Sequence, residues 1–90
     1  MGLHQSFRFE HRSQDDVREF LRGMTHAAAL SGGPEFFVFS QLPGAEEFTF
    51  DCELTEAGLV SDRAGSYFQF LGMFIEALTG TFGAVEVQDV

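Results

Sequence analysis

The chain has 90 residues, 14 acidic against five basic side chains, a formal charge of −9 and a single cysteine. So short a chain makes one domain, residues 1–90, and buries only about 60–65% of its unfolded surface. The lone Cys52 excludes a disulfide-stapled fold, and the negative charge argues against nucleic acid or an anionic membrane surface as partner.

The charge is uneven. Arg8, Arg12, Arg18 and Arg22 balance four acids in residues 1–34, whereas residues 35–90 hold ten acids and only Arg63. Twelve Phe and one Tyr stand with no Trp, a palette that favours packing over polar ligand recognition. The opening residues have no apolar run of signal-peptide type. Gly2 and Ser6 match the short myristoylation pattern, which recurs often by chance. A cytoplasmic protein is expected.

Residues 4–12 alternate, with Phe7 and Phe9 on one side and Ser6, Arg8, Glu10 and Arg12 on the other, which predicts a half-buried strand. Ser13 with Asp16 three residues on reads as a helix start. Val17, Phe20, Leu21, Met24, Ala27 and Ala28 then form one stripe, so a helix is expected to about Leu30. Ser31-Gly32-Gly33-Pro34 stops it. Residues 35–42 predict a strand with Phe37 and Phe39 on one face and Phe36 and Val38 on the other. A Pro43-Gly44 turn leads to residues 46–54, where Phe48, Phe50, Cys52 and Leu54 point in and Glu47, Thr49, Asp51 and Glu53 point out. Residues 55–62 hold a turn at Gly58 and a short strand extension at Leu59 and Val60.

Residues 64–82 read as a second helix, with Ser66 as cap, Gln69 three residues on, and Gly80 and Gly83 at its end. At about 100° per residue, Gln69, Gly72, Glu76, Thr79 and Gly80 share one polar arc. Apolar residues fill the remaining arc of roughly 220°, far more than the ~100° a surface helix needs to cover a sheet. Gln69 and Glu76 make a membrane span the poorer reading. The excess predicts a contact with a second copy or another protein, through Phe70, Met73 and Ala77 on one flank or Phe68 and Ile75 on the other. Residues 84–90 predict a last strand.

The order β-α-β-β-α-β is that of a two-layer α+β sandwich of ferredoxin-like type, with a four-stranded antiparallel sheet and both helices on one face. In that topology the first and third strands are neighbours, so Arg8 and Arg12 would pair with Glu47, Asp51 or Glu53 across the open face. The second strand would be an edge, and the Phe36 and Val38 on its outer face predict a second contact surface or a more central strand.

No motif carries a reaction. His4, His11 and His26 lack metal-ligand spacing, Cys52 alternates in phase with core phenylalanines, and Glu46, Glu47, Asp51, Glu53 and Glu56 lack a calcium-loop pattern. No cofactor is implied. Arg63, Gly65 and Ser66 precede the second helix and form the best place for an anion. Three functions are therefore expected: a non-catalytic interaction domain, homodimeric; an acidic inhibitor of immunity or antitoxin type with a basic protein partner; or a ligand-binding or enzymatic domain using Arg63–Ser66.

Overall fold

Alternating strands build the sheet, and two of them are hidden in the sequence. The computed structural model describes residues 3–89; Gly2 of the acylation pattern and the final Val90 lie outside them. The described residues form six strands: β1 (Leu3–Phe9), β2 (Ala29–Gly32), β3 (Phe36–Ser40), β4 (Phe48–Leu54), β5 (Gly58–Gly65) and β6 (Val85–Asp89). They form one sheet in the order β2-β3-β4-β5-β1-β6, with each neighbouring pair antiparallel. Helix α1 (Gln14–Arg22), continued by a 3₁₀ turn at Gly23–His26, and helix α2 (Phe68–Phe82) complete the fold.

The α+β class and the antiparallel pairing agree with expectation; the four-stranded count is corrected to six. β5 inserts between β4 and β1, so the strands expected to be neighbours are separated. Its inward positions are Leu59, Ser61 and Arg63, and two polar residues on the buried side erase the period-2 apolar signal. β2 was hidden for the opposite reason. Residues 27–30 (Ala-Ala-Ala-Leu) have high helix propensity, but the helix ends at Gly23 and the chain extends to pair with β3. Gly32 (φ 88°) and Gly33 (φ 110°) make the return, and Gly33 N–H donates to the Phe36 carbonyl at 2.7 Å.

The rings of α2 set the packing. Phe74 meets Phe7 of β1, Phe20 of α1, Phe39 of β3 and Phe50 of β4 at centroid distances of 5.8, 5.7, 6.5 and 4.9 Å. Phe70 meets Phe39, Phe48 and Phe50 at 4.9, 5.4 and 5.1 Å. Both helices therefore cover the same face of the sheet. Phe70, Phe74 and Leu78 form the buried stripe, and Tyr67, Leu71, Ile75, Ala77 and Phe82 form half-buried shoulders packed against the core. A core thick in phenylalanine absorbs most of the wide apolar arc. Only Phe68, 72% exposed, and Met73, 39% exposed, stand in water from that arc. The helix starts at Phe68 without a side-chain cap and runs through Gly80 to Gly83, so Ser66 is not its cap.

Candidate docking face

The side of the sheet turned away from the helices carries every second residue of each strand. In register across it run Val38, Asp51, Asp62 and His4, and beside them Phe36, Glu53, Val60, Ser6 and Gln88. Asp51 and Asp62 thus stand directly opposite each other at the centre of the face, with Glu53 next along β4. Like charges in this position destabilise a sheet. Partial burial, and then the Asp62 charge, push the Asp51 carboxyl above its ordinary range. Among the described residues none of these three acids is in an ion pair. Asp62 accepts only the backbone N–H of Arg63, at 3.1 Å.

The positive charge expected here lies elsewhere. Arg8 faces Gly58 and Glu86 rather than the hairpin acids, and its Nη1 is 3.9 Å from Glu86 Oε1 in an exposed pair. Such a pair contributes about 0–1 kcal/mol. The predicted pairing of Arg8 and Arg12 with Glu47, Asp51 or Glu53 is corrected, because β5 lies between. Phe36, 48% exposed, and the half-buried Val38 and Val60 give the face an apolar component beside the acids. β3 is not an edge: β2 covers it on the far side.

The remaining predicted site residues lie on the other face. Phe70 is a core residue; Phe68 and Met73 are exposed on α2, and Ile75 and Ala77 sit on its shoulders. Arg63 and Gly65 belong to β5, and Ser66 follows, its N–H taken by the Glu47 carbonyl at 3.0 Å. Gly65 has φ 78°, and a Cβ there would stand 2.6 Å from that same carbonyl. Arg63 is 3% exposed. Its guanidinium lies between the rings of Phe50 and Tyr67, at 5.8 and 5.1 Å, and donates through Nη2 to Gln5 Oε1.

A groove between α1 and the end of α2 holds His11, Asp16, Glu19 and His26. His11 and His26 each set Nδ1 at a backbone carbonyl, Phe9 at 3.1 Å and Gly23 at 3.0 Å. Among the described residues no two side chains of this groove hydrogen-bond each other, so no nucleophile–base pair is assembled there. Nor do any three His, Cys, Asp or Glu residues among those described converge to hold a metal ion. Cys52 is fully buried, and burial together with the Asp51 charge pushes its thiol far up. Among the described residues no helix is long and apolar enough to cross a membrane.

Asp62 is the residue of the face that the sequence reading missed. The signal was present in Leu59-Val60-Ser61-Asp62, which continues the in–out parity of a strand once Ser61 is allowed inside. No protein-family model, curated protein or solved structure matches the chain.

Proposed function

We propose that this protein is a non-catalytic protein-interaction domain whose open sheet face docks a basic protein surface. The observation that carries the reading is the unpaired triad Asp51, Asp62 and Glu53 beside exposed Phe36. A Lys or Arg of a partner placed between Asp51 and Asp62 would relieve their repulsion and gain charge-assisted hydrogen bonds. Phe36 would supply the apolar anchor that such interfaces need at their centre. A chain of net charge −9 would steer a basic partner and speed its association. An inhibitor of a basic toxin or nuclease fits this description, as does a cytoplasmic setting in which Cys52 stays reduced.

The test is an amide chemical-shift titration of the full chain with an Arg/Lys-rich peptide. Shifts confined to β3, β4 and β5 around Val38, Asp51 and Asp62, lost in the double variant Asp51→Asn, Asp62→Asn, support the reading. Equal shifts at acids on every surface, or none, would sink it.

Self-association is a second reading, favoured by Phe68 standing 72% exposed on α2. The acids of the open face repel their own copies, so a homodimer would use the Phe68, Met73 side instead. Light scattering at micromolar concentration separates the two: a monomer removes the homodimer, and a dimer that Phe68→Ala dissociates establishes it.

A further inference from the structure

Two polar residues interrupt the buried side of β5. Ser61 and Arg63 point toward the helices two positions apart, and both are enclosed. Among the described residues the Ser61 hydroxyl and the Arg63 Nε and Nη1 donors have no hydrogen-bond partner. Among the described residues the one polar side chain that hydrogen-bonds the guanidinium is Gln5, which accepts from Nη2 and donates through Nε2 to Asp89 Oδ1 at 2.8 Å. A neutral amide therefore stands between the arginine and its nearest bonded carboxylate. Among the described residues Arg63 has no ion pair. A guanidinium keeps its proton under all ordinary conditions, so it cannot escape burial by losing charge. The flanking rings of Phe50 and Tyr67 attract the cation but offer its N–H groups no lone pair.

The start of α2 adds an independent observation. Tyr67, whose ring covers the guanidinium, immediately precedes the first residue of the helix. This 15-residue helix has no side-chain cap and no acid in its first turn. No side chain of the described residues caps its first N–H donors or answers its positive dipole end. An uncapped helix start and a buried, half-unpartnered arginine beneath it ask for the same thing, a negatively charged acceptor.

We infer that Arg63, with Ser61 and the start of α2, forms a binding site for an oxyanion of the carboxylate or phosphate class, covered by the Tyr67 ring. Oxygen lone pairs satisfy the free guanidinium N–H groups and the serine hydroxyl together. Tyr67 is half-buried and stacks on exposed Phe68, with centroids 4.6 Å apart. Displacing this stacked pair is the route by which an anion reaches the arginine. The oxyanion belongs either to a free small molecule or to an acidic side chain of another protein. The site lies on the helix side of the sheet and stands or falls independently of docking on the open face.

The test follows the Arg63 Hε–Nε correlation by NMR in the full chain at constant ionic strength. Acetate, inorganic phosphate and a Glu-rich peptide are titrated separately, with chloride as the reference. A saturable shift of the Arg63 signal, with a melting temperature that climbs with the logarithm of the same anion, supports the site. Acetate or phosphate alone identifies a free ligand; the peptide alone identifies a protein carboxylate. Arg63→Gln should weaken binding about tenfold or more, and Tyr67→Ala should speed it. Should Arg63→Gln fail to fold, the wild-type titration remains decisive. An Arg63 signal that ignores all three anions while showing contact with water overturns the proposal, because a buried water then satisfies the donors. Stabilisation that persists undiminished in Arg63→Gln overturns it too, as the mark of an adventitious ion only.

Discussion

Along β4 successive residues serve two different surfaces. Phe48, Phe50, Cys52 and Leu54 turn to the helices and are buried; Thr49, Asp51 and Glu53 turn to the open side. The first set is locked into a network of rings from five elements. The second set includes a carboxylate, Asp51, that faces the Asp62 carboxylate on the neighbouring β5. Stability is concentrated on one side of the same strand, which leaves the other side free to carry unfavourable charge. An arrangement that weakens a domain this small calls for a compensating role, and the proposed recognition of a basic partner would supply one.

Substitutions should separate the two sides sharply. Phe74→Ala removes the ring that links β1, β3, β4 and α1, and is expected to cost about 3–5 kcal/mol. That is a large part of the 5–15 kcal/mol typical of a whole domain, and urea denaturation should show an early midpoint or no folded baseline. Gly58→Ala comes next. At φ 154° an added Cβ would meet the Phe7 carbonyl and stand 2.9 Å from the Phe9 ring, so a loss of more than about 1 kcal/mol is expected by the same assay. A normal midpoint would show that the β1–β5 junction yields easily.

On the open side the sign reverses. Asp51→Asn removes the repulsion with Asp62 and should raise the melting temperature by about 1–4 °C at neutral pH. The raised carboxyl of Asp51 means that the folded chain holds this proton more tightly than the unfolded chain does. Its ionisation therefore weakens the fold as pH rises through the raised value. The advantage of Asp51→Asn should be full at neutral pH, fade as pH falls through the raised value, and be gone below the ordinary carboxylate value of 3.8. An advantage that is flat with pH would assign the effect to something other than charge. Arg8→Ala is the smallest change, expected within about 0.5 kcal/mol because its pair with Glu86 is exposed.

Clean alternation made β1, β3 and β4 readable, and with them the two faces of the sheet. The wide apolar arc of α2 predicts an external contact. Most of it instead meets the core, because phenylalanines at Phe7, Phe20, Phe39, Phe48 and Phe50 reach it from four other elements. Angular counting on one helix does not register the size of what lies opposite. β5 is legible only as the short strand extension at Leu59 and Val60, because Ser61 and Arg63 occupy inward positions, and polar residues inside are what a pattern of hydrophobicity cannot represent. Arg63, expected just ahead of the second helix, lies instead within β5 and in the core. In the sequence Arg63 is distinguished as the only base of residues 35–90; in the structure it is distinguished by its burial and by donors unpartnered among the described residues.

Cys52 sits in β4 between Phe37 and Ser61 across the sheet, without solvent exposure and with its thiol held in the unreactive form. As the sole sulfhydryl of the chain, it is a built-in clock for opening of the sheet. A thiol reagent can modify it only while β4 is parted from α1 and α2, so the labelling rate of the unaltered protein reads the opening equilibrium directly. Followed with and without a basic peptide, and again with phosphate, that single rate weighs what each ligand adds to the fold without any introduced probe.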